Sequence, residues 1–343
     1  MPFSPDQISI PSSAAGNVLL PQREKMTYDI EADWILLNTC NYRCEYCFAS
    51  PHVLGEKLVT HGTPREWQDA FAATRLKWLL HITGGEPSIY PGFVELCERL
   101  IERNFISLNS NLTHASLSDF AERIDPQRVN FINAGFHLEE RARRSGDKIF
   151  LTHAETLLAR GFPLFVSLVA TPSALERFDD AIEILAPLGL MPVPKLFRGI
   201  YGGKVYPQAY SSGDKRRFIA RAREAEAQYA PLLGMLGERP TIDVFSDSTL
   251  LEGEPTFLGQ DCDAGYRFVR IVPNGDVTRC GPPLLGNLLA GTFKPRTGSA
   301  VCDTQFCYYF CQKYTGTARE SRAAAAPWTR ELRRLLTGMR SRH

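Results

Sequence analysis

Residues 34–47 read WILLNTCNYRCEYC: an apolar run of strand length, then three thiols, Cys40, Cys44 and Cys47, on a short loop. Downstream, further apolar runs recur at 78–82, 105–108, 129–132, 164–169 and 191–197. Between them lie amphipathic stretches near 66–76, 93–103, 117–124, 149–160 and 175–185. Strands separated by helices cannot pair through tight hairpins. The pattern therefore predicts an α/β fold of six β-α units, with a parallel sheet and right-handed crossovers, open or curled into a barrel. The thiol loop follows the first strand, at the C-terminal mouth of such a sheet, where α/β proteins gather their ligand sites.

Working outward, residues 1–33 are rich in Pro, Ser and Gln without a strong period and read as an N-terminal arm. The barrel-like pattern fills 34–212. After Tyr201 the run GGKVYPQAYSSGDK reads as a loop, and 215–236 as one long helix within a helical linker spanning 213–254. A cysteine-rich module is expected over 255–315, in which two β-rich runs over 267–279 flank Asn274-Gly275, a dipeptide suited to a type I′ hairpin turn. The remainder, 316–343, reads as an Arg-rich helix with a solvated face.

Thirty-nine basic residues against 38 acidic ones leave a formal net charge of +1, so no overall field draws the chain to nucleic acid or to an anionic membrane. The N-terminus lacks a cationic start followed by an apolar run, and no later stretch of about 18 apolar residues occurs, so a cytoplasmic protein is expected. Nine cysteines, at 40, 44, 47, 97, 262, 280, 302, 307 and 311, form an odd and clustered set. That argues against a disulfide framework and for metal. Cys97, in LCERL at helical spacing, reads instead as a small buried hydrophobe.

Three thiolates can hold three irons of a four-iron cubane and leave the fourth iron open, whereas structural zinc takes four closed ligands. The Cys40–Cys44–Cys47 loop, with Tyr46 before its last cysteine, resembles the radical S-adenosylmethionine (SAM) superfamily, whose signature is C-x3-C-x-aromatic-C after the first strand. The resemblance extends to Gly84-Gly85-Glu86-Pro87 at the end of the second run, at the place of the family's SAM-binding motif. Two glycines there let the backbone approach a ligand closely. Ser110-Asn111 stands where the family has Thr-Asn-Gly, with Leu112 in place of the glycine. The resemblance implies a partial (β/α)6 TIM-like barrel, a [4Fe-4S] cluster on Cys40, Cys44 and Cys47, and SAM chelated by its open iron. Tyr46, Gly84, Gly85, Glu86, Pro87, Ser110, Asn111, Asn133 and Ser167 are the candidate cofactor-binding residues. His137 and Thr171 also fall at strand ends facing the same cavity. Lys195 and Arg198, cationic at the end of the sixth run, are the candidate catalytic residues, as a base or a carboxylate anchor.

Cys262 and Cys280 flank the Asn-Gly hairpin, and Cys302, Cys307 and Cys311 follow. This arrangement resembles the SPASM extension of radical SAM enzymes, in its shorter twitch form, because five cysteines suffice for one auxiliary [4Fe-4S] cluster and not for two. A zinc site is the competing reading, disfavoured because no paired CxxC knuckle is present. The implied activity is reductive cleavage of SAM to a 5′-deoxyadenosyl radical, fed by a flavodoxin-type reductase. That radical then abstracts hydrogen from a small-molecule substrate of the sugar, aminocyclitol or nucleoside type, for dehydrogenation or epimerisation. Two alternatives stand beside it: a maturase acting on a ribosomal peptide, and a non-enzymatic iron-sulfur electron carrier.

Overall fold

The computed structural model describes residues 26–47, 57–236, 247, 251 and 258–303. The calls on Cys307 and Cys311, on most of the N-terminal arm and on the Arg-rich C-terminal helix lie outside these residues.

Six strands, β1 (Ile30–Leu37), β2 (Trp78–Gly84), β3 (Phe105–Ser110), β4 (Val129–Gly135), β5 (Leu164–Val169) and β6 (Pro192–Lys195), pair in parallel in sequence order. The helices between them are α1 (Pro64–Ala73), α2 (Phe93–Ile101), α3 (Ser116–Arg123), α4 (Leu138–Arg144), α5 (Asp147–Ala159), α6 (Pro172–Glu176) and α7 (Phe178–Leu185). This is the expected α/β arrangement of a partial TIM-like barrel. Alternation along the strands divides the sheet into two faces. Trp34, Leu80, Ile82, Leu108, Ile132 and Val166 lie in the main core with the helices. Trp34 meets Trp67 and Phe71 of α1 edge-on, at 4.8 and 5.1 Å between ring centres. Helix α1 starts where it does because Thr63 and Glu66 form a reciprocal capping box just before Pro64 and inside its first turn.

β1 begins at Ile30, so the last residues assigned to the arm belong to the sheet. Glu31 and Asp33 hid the strand. Both point to the inner face, where Glu31 faces His81, and His81 in turn bonds Ser107. Asp33 lies 3.9 Å from Arg270.

Arg270 comes from β10 (Phe268–Ile271), which pairs in parallel with β1 on the side opposite β2. With β11 (Asp276–Thr278) and β12 (Leu284–Asn287) it extends the sheet to nine strands, in the order β12-β11-β10-β1-β2-β3-β4-β5-β6. The hairpin expected within a separate module thus continues the barrel's own sheet and supplies the partner that the edge of β1 needs. Its turn also differs from the expected type I′. Gly275 N–H donates to Val272 O at 2.8 Å, with Pro273 and Asn274 between them, and within the turn only Gly275 has positive φ, +88°. Pro273 fixes a negative φ at the first central position, which gives a type I turn closed by a left-handed glycine. The two-residue turn with both φ positive occurs elsewhere. Gly202 and Gly203, at +55° and +73°, join β7 (Gly199–Tyr201) to β8 (Lys204–Tyr206) within the stretch expected to be a loop. The long helix α8 (Ser212–Leu236) follows and packs on β6. Among the described residues no helix is long and apolar enough to cross a membrane.

Candidate metal and cofactor site

The loop carrying Cys40, Cys44 and Cys47 leaves the C-terminal end of β1, and the three thiols are each partly buried. The two glycines after β2 hold the stem of this loop. A Cβ on Gly84, whose φ is +140°, would stand 2.2 Å from Leu37 O, and one on Gly85 would stand 2.0 Å from Thr39 O. Gly85 N–H donates to Leu37 O at 2.8 Å and Glu86 N–H to Thr39 O at 3.0 Å. The close approach expected toward a ligand is, in the folded chain, an approach to the backbone that leads into Cys40.

Glu86 is 1 % exposed. Its Oε1 accepts from Ser88 N–H at 3.1 Å, Ser88 Oγ at 2.6 Å and Ser110 Oγ at 2.7 Å, and its Oε2 accepts from Asn111 N–H at 2.6 Å. Glu86 and Ser110 therefore lock the end of β2 to the end of β3. Pro87 opens the short 3-10 turn Pro87–Ile89 that makes this possible. Asn111 continues the chain of contacts: its Nδ2 donates to Asn41 Oδ1 at 2.8 Å and lies 4.0 Å from Cys40 Sγ. Asn41 Nδ2 donates to Thr113 Oγ1 at 2.8 Å. Leu112, at the family's glycine position, adopts φ +54° and is fully buried, with Ser110 Oγ accepting its N–H at 3.0 Å.

The other side of the loop rests on α4. Buried Glu140 accepts from Arg43 N–H at 3.0 Å and Arg144 Nε at 2.6 Å, and pairs with Arg143. Burial opposes its charge, but the Arg144 and Arg43 bonds prevail and hold the carboxyl below its usual range. Tyr46 OH bonds His137 Nδ1 at 2.8 Å, and the two rings stack at 6.1 Å. Burial, with the Arg141 guanidinium close by, pushes His137 down to about 3, so the imidazole is neutral. Glu140, Arg141, Asn41 and Thr113 carry no sequence signal that singles them out, and nothing local in LEERARR reveals that Glu140 and Arg141 are buried.

On the inner face, Asn109 Nδ2 donates to Thr83 Oγ1 at 3.1 Å and Asn133 Nδ2 to Asn109 Oδ1 at 2.9 Å. Asn133 Oδ1 is sealed from solvent with no hydrogen-bond partner among the described residues, an acceptor left over at the mouth. Ser167 is buried, and its carbonyl accepts from Phe136 N–H at 2.7 Å. Thr171 caps α6. Lys195 and Arg198 pair with Asp247, at 3.1 and 3.3 Å, and Asp247 also accepts from Leu196 N–H at 2.7 Å. The cationic strand end is thus tied to a carboxylate of its own chain.

The donor set fits an iron-sulfur cluster. Burial pushes the Cys40 and Cys44 thiols up to about 11 and about 12, so thiolates here need a cation to hold them. No group of three or more His, Cys, Asp or Glu side chains among the described residues closes around a single ion. A cluster that puts each thiolate on a different iron spaces them more widely than one ion does. In the second group, Cys262 on β9 (Asp261–Cys262), Cys280 and Cys302 meet around Ala264 and Phe268. Cys302 follows β13 (Ala300–Val301), which pairs with β9. Cys97 is buried in the main core, as expected.

Residues 34–185 match the family model described as Radical SAM superfamily. Among solved structures, native anSMEcpe with bound AdoMet superposes with a TM-score of 0.53 at 16% identity, over 77% of this chain and 79% of that one. The same protein with bound AdoMet and Cp18Cys peptide gives a TM-score of 0.53 at 14% identity, over 77% and 79%. SuiB from Streptococcus suis bound to S-adenosylmethionine gives 0.49 at 15% identity, over 78% of this chain and 64% of that one. At these identities the likeness is one of fold. No curated protein matches the sequence.

Proposed function

We propose that this protein, whose residues 34–185 match the Radical SAM superfamily model, is a radical SAM enzyme that modifies a peptide or protein substrate. The carrying observation is the loop of Cys40, Cys44 and Cys47, held from two sides by the ends of β2 and β3 and by Glu140. Those thiols would hold a [4Fe-4S] cluster, with SAM bound beside it. When bound, the pair supplies a one-electron cleavage that yields a carbon radical able to take hydrogen from an unactivated C–H bond. The chain's own residues position and enclose. Gly84 and Gly85 fix the loop stem, Glu86 orients Ser110 and Asn111, and the Thr83–Asn109–Asn133 ladder ties the ends of β2, β3 and β4 together on the inner face. Cys262, Cys280 and Cys302, with Cys307 and Cys311 as further candidates, would hold an auxiliary cluster, a group able to take one electron from a substrate radical.

The substrate reading moves from the small molecule expected from sequence to a peptide for two reasons. One solved protein of similar fold is bound to a peptide. Beyond β6, the β7–β8 hairpin also carries Ile200 and Val205 opposite each other and 73% and 59% exposed, an apolar strand pair suited to an extended chain. The test is anaerobic turnover with SAM and a reductant, comparing wild type with a Cys40/Cys44/Cys47→Ala variant. Formation of 5′-deoxyadenosine by wild type alone supports the enzyme. Deuterium appearing in that product from a deuterated peptide pool supports the peptide; deuterium arriving only from deuterated sugars or nucleosides overturns it.

A further inference from the structure

Arg141 is 0 % exposed and bridges the ends of β3 and β4 to the turn between α4 and α5. Its Nη2 donates to the carbonyls of Asn111, beyond β3, and of Gly135, on β4, the latter at 3.1 Å; Nη1 donates to Gly146 O at 3.3 Å. Aromatic rings close around it: Phe150 at 4.1 Å, Phe136 at 5.3 Å and Tyr42, between Cys40 and Cys44, at 5.6 Å. Its Nε is sealed without a partner. Among the described residues no carboxylate lies within ion-pair distance of it; Glu86 and Asp147 act on it only from farther away. Burial outweighs their pull and pushes the guanidinium down to about 10, still a cation at neutral pH.

A wholly buried cation without a partner is costly, and chains ordinarily avoid it by pairing or by replacing the residue. Carbonyl dipoles and ring faces soften that cost and leave a full positive charge behind the cysteine loop. Arg141 is joined to that loop by short routes: through Asn111 to Asn41 and Cys40, through the Tyr42 ring, and past His137 to Tyr46. A thiolate-held cluster is anionic, and more so when reduced. Resting on the cluster reading above, we infer that Arg141 is a positioning residue whose unpaired charge is the buried counterion of the group held by Cys40, Cys44 and Cys47, favouring its reduced state.

The test uses the full chain, reconstituted anaerobically, as wild type, Arg141→Gln, Arg141→Lys and, as a distant surface control, Arg99→Gln. Iron content is measured, and a redox titration follows the electron paramagnetic resonance signal that changes on adding SAM. Arg141→Gln should lower the equilibrium constant for reduction about tenfold, equivalent to about 59 mV for one electron. Arg141→Lys keeps the charge and should stay within about twofold of wild type, as should the control. A Gln variant that holds full iron with less than a twofold change overturns the inference, as does a Lys variant that shifts as far as Gln. If Gln loses its iron while Lys keeps both iron and potential, charge is still the operative property; if both lose it, the hydrogen-bond fork alone matters and the counterion role is wrong. Wild type without any SAM-responsive iron signal would remove the cluster reading itself, a different failure from a signal that ignores Arg141.

Discussion

Replacing Glu86 by Gln changes one atom of a side chain that takes four hydrogen bonds. Glutamine keeps one acceptor oxygen. If that oxygen takes the Oε1 position, its amide faces Asn111 N–H, which the carboxylate accepted at 2.6 Å, donor against donor. If it takes the Oε2 position, Ser88 N–H is left facing the amide, although the hydroxyls of Ser88 and Ser110 can rotate to accept. One buried backbone donor is unpaired either way, at about 1–3 kcal/mol, and the remaining bonds lose their charge assistance. Neutralising a buried carboxylate offsets part of this, leaving a net loss of about 2–4 kcal/mol. Urea unfolding of the metal-free protein should show a lower midpoint at unchanged slope. Reconstituted iron should fall as well, because Asn111 is released from both Glu86 and its fixed place beside Asn41. Stability within about 0.5 kcal/mol of wild type with undiminished iron would refute the view that Glu86 organises the strand ends, and would return it to direct contact with the cofactor.

Gly85→Ala places a Cβ 2.0 Å from Thr39 O, a backbone atom that cannot turn away, so cluster content after reconstitution should collapse; a variant with full iron would show that the loop stem yields. Leu112→Gly relieves left-handed strain of about 1–2 kcal/mol but removes a fully buried side chain worth about 2–5 kcal/mol, so the protein should be destabilised in thermal melts. An unchanged or raised melting temperature would mean that packing is not what holds the strained residue. His137 is depressed to about 3 from 6.5, so the unfolded chain binds the extra proton and stability falls as pH drops below 6.5 toward 3. Between pH 8 and pH 5 this one group should remove about 2 kcal/mol from the metal-free protein. His137→Phe should flatten that part of the pH profile, and equal slopes would contradict it.

The strands and the thiol loop were legible because an apolar run followed by closely spaced cysteines is a local signal. β1 was read short because Glu31 and Asp33 break the apolar run while facing inward. Asn274-Gly275 has the composition of a type I′ turn, but Pro273 ahead of it fixes a negative φ, whereas Gly202-Gly203, with both φ positive, lies in a polar, glycine-rich stretch that reads as a loop. Arg141 and Glu140 could not be told from the exposed arginines beside them, since LEERARR carries no sign of which members a neighbouring strand end will cover. Lys195 and Arg198 looked available because their partner, Asp247, lies about fifty residues away. The pairing of β10 with β1 depends on two segments at opposite ends of the chain, and nothing in either announces the other.

That last pairing has a consequence for biosynthesis. β1 is synthesised once residue 37 is added, but β10 ends at Ile271, about 230 residues later. At about 5–20 residues per second, roughly 12–47 s pass in which one edge of the first strand has no partner. During that interval Glu31, Ala32, Asp33 and Trp34, the residues that β10 later pairs, present an open row of amides and carbonyls, the arrangement through which nascent chains capture one another. Any protection in that window must come from outside the strand, from the α-helices already docked behind it or from chaperones, and the yield of native protein should respond to translation speed.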